Sequence, residues 1–539
     1  MRRCSTLTTA RSSGQSAHLR CDDAPRARTD QVTQSRQESR GGARGLLLDA
    51  LCVERAGRHP LHRQVYEALR DAVLAGRVRP GTRLPSTRSL ASQLGVSRNT
   101  VISAYEQLTS EGFLESRAGA GTRVCAVFPE RPSGTPTRAL VRARTTPPPT
   151  VSRRGALIGA TLRPTSPATA TAFQPGLPAL DQFPFAIWNR LLTRAARQLD
   201  RAELGYGASG GLPALRETVA EYLTASRGVR CRPSQVVVTG GAQAALDLAT
   251  RMLLDPGDEA WLEEPGYSGA RGALLAAGAR LRPVPVDDEG LDVEHAAAHF
   301  PRARLAYVTP SYQFPCGVTM SLERRLSLID WAERAGAWVI EDDYDSEYRY
   351  RGRPLNALQG LDDGERVVYL GTFSKTLFPA LRVAYLVVPE PLADAFRNAL
   401  RITGQDASVP VQAALAAFIG EGHFAAHVRR MRALYASRQR RFVELASARV
   451  GDWLDIRPTD AGMQIAATLR VAGDDRAVSA AAARRGLVAP PLSGLHLGPV
   501  TRSGLFLGYA GIDDARLESS LERLADALRE VLGADPAHS

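Results

Sequence analysis

Between residues 173 and 535 the chain repeats an alternation that few folds can absorb. A short apolar run is followed by a polar or glycine-bearing turn, and then by an amphipathic stretch. The runs are "QVVVTGG", "EAWLEEP", "RLAYVTP", "AWVIEDD", "RVVYLGT" and "RVAYLVV". Strands separated by helices pair mainly in parallel, with the helices on both faces of the sheet. An α/β domain with a mainly parallel sheet is therefore expected over 173–539. At 539 residues the chain is too long for one core, so further domains are expected. No internal repeat is visible.

The residues ahead of this domain divide by composition. Residues 1–45 are rich in Ser, Thr, Arg and Gln and show no apolar period, which reads as a disordered basic tail or an over-early start. Asp22, Asp23 and Asp30 are out of character for a transit peptide. Residues 46–128 read as a compact segment, and 129–172 as a semi-extended linker rich in Pro, Thr and Arg. Residues 1–170 hold 27 arginines against 12 acidic residues, while the rest of the chain is nearly neutral. A basic front of this kind points to a polyanionic partner. No apolar run approaches the ~20 residues that span a bilayer, so no membrane partner is expected. The six cysteines are scattered without a C-x-x-C pair, which argues against a disulfide framework or a metal site and for a reducing cytoplasm.

Within 46–128, Val65, Leu69, Val73 and Leu74 mark the apolar stripe of a first helix. Ser86 and Thr87 are candidate caps of a second, Gly95 supplies a tight turn, and Ser97 caps a third with Val101, Tyr105 and Leu108 inside. Helix, glycine turn, helix is the helix-turn-helix pattern, although many such hairpins are purely structural. "GFLESRAGAGTRV" then alternates and turns on Gly119 and Gly121, as a β-wing does. Ser97, Arg98, Asn99 and Thr100 lie opposite the apolar face, where a recognition helix reaches base edges in the major groove of double-stranded DNA. Arg88 is placed to reach a phosphate.

In "YLGTFSKTLFPALR", Lys375 is the one lysine among 68 basic residues. Arginine serves as well for surface charge, but only an amine can deprotonate and attack a carbonyl. A surviving surface lysine is the plainer alternative. Thr372, Ser374 and Arg382 flank the amine with phosphate-binding groups. "VVVTGGAQAALDLA" places the N–H groups of Ala242 and Gln243 at a helix start, an anion cradle that is commonplace by itself. "WVIEDDYDSEY" ends a strand in carboxylates. There Asp342 can hold a cationic ring nitrogen and Tyr344 a phenolic oxygen, unless this is only a solvated acidic loop.

Residues 60–125 resemble the winged helix of the GntR family of bacterial regulators, and residues 173–535 resemble the fold-type I aminotransferases. Their combination resembles the MocR/GabR group of bacterial transcriptional regulators. That likeness implies a pyridoxal 5′-phosphate cofactor, with Lys375 as its Schiff-base lysine and Asp342 at the pyridine nitrogen. It further implies that Tyr267 in "EEPGYSG" stacks on the ring, and that Thr372, Ser374, Arg382, Ala242 and Gln243 hold the phosphate. Tyr206 in "LGYGASGG" resembles the tyrosine that reaches a neighbouring subunit's phosphate, which implies a homodimer. The chain departs from the aminotransferase pattern in three places. Phe314 in "QFPCG" stands where an asparagine holds the ring oxygen. Phe506 in "FLGYA" stands where an arginine takes the substrate carboxylate, with Arg502 as the stand-in. The Asp342-x-Tyr344 spacing is one residue short. The resemblance thus implies a cytoplasmic bacterial regulator that binds an operator with repeated half-sites and senses the cofactor and an amine or amino-acid effector, with weak or absent transaminase activity. A working aminotransferase with an accessory winged helix is the alternative. A basic nucleoid-binding protein explains the basic front but leaves the lone lysine unexplained.

Overall fold

The computed structural model describes residues 53–54, 59–117, 121–125, 150–161, 172–203, 205, 207, 209–352, 355–363 and 365–533. The expected tail over 1–45 lies outside them. The chain divides into two compact units, Met1–Pro147 and Pro148–Ser539.

In the first unit, helices span Leu61–Leu74, Thr87–Leu94 and Arg98–Ser110, followed by the antiparallel pair β1 (Leu114–Arg117) and β2 (Gly121–Val124). The second helix and the start of the third are bounded by local causes. The Ser86 hydroxyl accepts from the Ser89 N–H, Gly95 ends its helix in the left-handed region at φ 62°, and the Ser97 hydroxyl accepts from the Thr100 N–H. Ser86, not Thr87, is thus the cap of the second helix. Val65, Leu69, Leu90, Val101, Leu108 and Val124 close one core. Ala72 completes the stripe of the first helix where Leu74 was expected; Leu74 is only half-buried, a further 100° round the helix from Val73.

The second unit is built on an eight-stranded sheet. Its strands are β3 (Val236–Thr239), β4 (Glu259–Glu264), β5 (Arg280–Asp287), β6 (Gly290–Leu291), β7 (Ala303–Val308), β8 (Trp338–Asp343), β9 (Val367–Thr372) and β10 (Ala384–Val387), in the order β3-β10-β9-β8-β7-β4-β5-β6. β5, β4, β7, β8 and β9 run parallel. β10, the "RVAYLVV" run, lies antiparallel between β3 and β9. Successive residues of one strand feed different cores, Val339 one and Ile340 the other, so both faces are covered. The carboxyl ends of β8 and β9 deliver Asp342 and Lys375 to one end of the sheet.

Two features depart from the sequence reading. Residues Arg153–Thr161, inside the expected extended linker, form a helix packed on the helix Ser268–Ala277. The Ser152 hydroxyl accepts from the Gly155 N–H at 3.0 Å, and no proline interrupts residues 150–163. Near the C-terminus, β11 (Leu454–Asp455), β12 (Gln464–Leu469) and β13 (Gly504–Gly508) form a separate antiparallel sheet. β12 and β13 flank the helix Asp475–Arg484, a strand-helix-strand spacing that reads as parallel in sequence.

Candidate functional site

On the first unit, Arg98 and Asn99 are exposed in the opening turn of the third helix, and Arg88 is exposed on the second. The hydroxyls of Ser97 and Thr100 lie 2.8 Å from each other and serve the helix cap, which leaves Arg98 and Asn99 as the freer side chains for base edges. Gly121 opens β2 at φ 80°, and a Cβ there would lie 2.9 Å from the Arg83 Nε. Gly119 lies outside the described residues. This cationic helix start beside a two-stranded wing can bind duplex DNA by its phosphates and read its major groove.

On the second unit the chemistry gathers around Lys375, in the loop after β9. Its Nζ donates to the Gly176 carbonyl at 3.1 Å. Gly176 has φ 65°, and a Cβ there would lie 2.3 Å from the amine, so the close approach requires glycine. The side chain keeps partial solvent contact, yet protein surrounds the amine closely enough that burial lowers its pKa. The Asp345 and Asp342 carboxylates oppose that shift. A lowered pKa is what a nucleophilic amine needs.

Asp342 ends β8. The Tyr307 hydroxyl, on adjacent β7, donates to its Oδ2 at 2.7 Å, while Oδ1 is buried with no hydrogen-bond partner. Burial pushes this carboxyl up to about 7, the Tyr307 hydrogen bond pulls it down, and neighbouring Asp343 raises it again. The ion-paired neighbour is Asp343, whose Oδ2 lies 2.7 Å from the Arg227 Nε. Asp342 therefore has one oxygen fixed and one waiting for a donor, an arrangement that suits a cationic ring N–H.

Tyr267 stands at the start of the helix Ser268–Ala277, and its hydroxyl is pushed up to about 12 by burial and then by Asp342. Its ring meets Phe314 edge-on at 5.4 Å. The Tyr344 hydroxyl donates to the Tyr312 carbonyl at 3.0 Å, so its one proton is committed within the protein and it can offer other groups only acceptor capacity. Arg502 is half-buried near the Cys316 thiol, which burial pushes up to about 11 while the nearby guanidinium pulls it back.

The expected phosphate groups also converge. The helix Ala242–Leu253 starts after Gly241 at φ 113° with no side-chain cap, which leaves its first N–H groups open. The Arg382 Nε is 3.7 Å from where a Gly241 Cβ would stand, so the guanidinium lies across the helix start. Arg382 itself adopts φ 53°. Thr372 Oγ1 accepts from the Ser374 N–H at 3.2 Å, which folds the loop back beside the lysine. The Gln243 side chain donates to the Gly269 carbonyl, fixing the helix start against the Tyr267 turn. A cavity of about 560 Å³ opens here, lined in part by Gln243, Ser268 and Arg382. Uncapped helix N–H groups plus a guanidinium form an anion site. With the orphaned Asp342 oxygen and the Lys375 amine, these residues fit pyridoxal 5′-phosphate. Tyr206 lies outside the described residues.

Three residues escaped the sequence reading: Asp345, Tyr307 and Gly176. Asp345 is buried, and the field of its carboxylate acts on Lys375 more than that of Asp342. It stands in the same acidic string as Asp342, which was signal enough to find it. Tyr307 sits in an ordinary apolar strand and carries no such signal.

Residues 181–524 match the aminotransferase class I and II family, and residues 61–124 match the gntR family of bacterial regulatory proteins. The chain is 48% identical over 477 residues to the probable rhizopine catabolism regulatory protein MocR of Rhizobium meliloti, covering 88% of this chain and 95% of that protein. It is 33% identical to the HTH-type pyridoxine biosynthesis transcriptional regulator PdxR of Corynebacterium glutamicum, covering 86% and 95%. Among solved structures it is similar to Pyrococcus horikoshii kynurenine aminotransferase, with 26% identity, TM-score 0.62 and coverage of 74% and 98%. It is also similar to the α-aminoadipate aminotransferase LysN of Thermus thermophilus, with 26% identity, TM-score 0.64 and coverage of 71% and 99%.

Proposed function

The chain belongs to the MocR-type transcriptional regulators, which join a GntR-family winged helix to an aminotransferase class I and II domain, and on that premise we propose how it works. It binds an operator of repeated half-sites as a cytoplasmic homodimer, and the Lys375 site makes that binding responsive to pyridoxal 5′-phosphate and an amine effector. The observation that carries the reading is the gathering around Lys375 of its half-buried amine, an orphaned carboxylate oxygen and an uncapped helix start.

When bound, pyridoxal 5′-phosphate supplies an aldehyde carbon that a primary amine can attack. The residues of the chain prepare for this. Lys375 presents an amine whose proton is loosened by burial. Asp342, steadied by Tyr307, presents Oδ1 to the ring nitrogen and holds a proton there. Tyr267 covers a ring face, and Arg382, Thr372, Ser374 and the N–H groups of Ala242 and Gln243 take the phosphate. Phe314 has no hydrogen-bonding side chain where the likeness places an asparagine, and Tyr344 has its proton engaged elsewhere. Proton movements beyond capture of the amine are therefore poorly served, which favours sensing over turnover.

The experiment uses the lone lysine. Borohydride treatment of the protein with pyridoxal 5′-phosphate should fix one cofactor per chain, and mass spectrometry should place it at Lys375. Lys375→Arg should abolish the adduct despite keeping the charge, because a guanidinium does not deprotonate in proteins. An adduct at the N-terminal amine, or none at all, rules the reading out.

A further inference from the structure

The wall beside this site is aromatic where an α-amino acid would need a cation. Phe314 meets three rings edge-on: Tyr267 at 5.4 Å, Phe506 at 5.0 Å and Tyr344 at 6.3 Å. Phe506 comes from β13, and the register shows that it faces the site. Phe506 pairs with Ala466 and Gly508 with Gln464, so Phe506, Gly508 and Gln464 share one sheet face. On that face Gln464 reaches the Asp345 carboxylate, and a Cβ at Gly508 would strike the Gln174 carbonyl, two residues from the Gly176 that holds Lys375.

The titratable side chains facing these rings include acids that burial holds toward the protonated form. Tyr344 lies in the field of Asp345, Asp342 and Glu263, and Tyr267 in that of Asp342. The cation–ring contacts among the described residues are elsewhere, at Phe300, Trp338 and Trp453. Arg502, the nearest arginine ahead of Phe506 in the chain, acts on the Cys316 thiol and makes no cation–ring contact with Phe314 or Phe506. A carboxylate placed here gives up its hydration among aromatic rings, and no arginine among the described residues stands over them to offset that loss. An ammonium gains from the aromatic faces, and it favours ionisation of the nearby acids where a carboxylate opposes it.

We infer that this site selects primary amines whose amino-bearing carbon carries no carboxylate, with Phe506 and Phe314 excluding α-amino acids by withholding a counter-ion. The inference rests on the reading of Lys375 as the cofactor-bearing residue and adds the effector class to it.

The test compares ligands that differ only in the carboxylate: butylamine with L-norvaline, and cyclohexylmethylamine with cyclohexylglycine. Each is titrated into the pyridoxal-phosphate-loaded full chain, following the cofactor's absorbance and operator binding by fluorescence anisotropy. The amines should act at concentrations at least tenfold lower than their carboxylated partners. Phe506→Arg should narrow or invert that ratio by tenfold or more. Equal or tighter action of the amino acids on the wild-type chain overturns the inference, as does silence of both amines on a loaded chain. A folded, loaded Phe506→Arg variant with an unchanged ratio overturns it too. Should that variant not fold, the wild-type comparison decides alone. A chain that takes up no cofactor at Lys375 instead refutes the reading beneath it.

Discussion

Asp342→Asn should make the ligand-free protein more stable and the cofactor-loaded protein less so. Burial raises the Asp342 carboxyl from its ordinary 3.8 to about 7. Each tenfold change in proton affinity is about 1.4 kcal/mol, so the folded chain above pH 7 carries a penalty of roughly 4 kcal/mol. The folded pKa lies above the unfolded one. The penalty is therefore absent below about pH 4, grows as the pH rises, and levels off once the folded carboxyl ionises near 7. Asparagine removes it and still accepts the Tyr307 hydrogen bond, but it puts an amide N–H₂ where Oδ1 has no partner, at a cost of about 1–3 kcal/mol. The net expectation at pH 8 is a gain of about 1–3 kcal/mol. All five tryptophans (Trp188, Trp261, Trp331, Trp338 and Trp453) lie in the second unit, so urea unfolding followed by their fluorescence reports on the unit that matters. The advantage of the variant should widen from pH 5 to pH 8. With excess pyridoxal 5′-phosphate the order should reverse, because the wild type gains the binding free energy of its ion pair with the ring nitrogen and the variant does not. An advantage that does not grow with pH, or a loaded variant that keeps wild-type stability, refutes the assignment of Asp342.

Arg227→Ala should cost about 3–5 kcal/mol in the same urea assay. It strands the buried Asp343 carboxylate and also frees the Leu355 carbonyl and the Ser311 hydroxyl. A loss below 1 kcal/mol would mean that solvent reaches Asp343. For DNA, Arg98→Ala or Asn99→Ala should cost about 1–3 kcal/mol on operator and relax specificity at one position per half-site. Arg88→Ala should instead weaken operator and scrambled duplex alike and flatten the salt dependence. Equal losses on both duplexes for all three variants would remove the third helix from the base-reading role. Transamination of an amino acid with a keto acid should stay far below about 1 s⁻¹ in steady state; sustained turnover at that rate would make the chain a working enzyme.

What the sequence determined by itself was local. A lone amine among arginines, a serine before a helix, a glycine at a left-handed turn and an apolar run of strand length each act within a few residues, and so could be read directly. Lys375, the Ser97 cap, Gly95 and the strand ends at Asp342 and Thr372 were legible for that reason. Tertiary structure decided which groups meet across long stretches of chain. Tyr307 reaches Asp342 only because β7 lies beside β8, and the Lys375 amine finds the carbonyl of Gly176, 199 residues away. The linker helix Arg153–Thr161 was hidden because proline-rich flanks dominate the local composition, whereas its position depends on packing against the helix Ser268–Ala277. In sequence Phe506 was no more than a missing arginine. Antiparallel pairing of β12 with β13 turned it toward the site, and that pairing is set by which sheet faces can be buried together, a condition that spacing along the chain does not record.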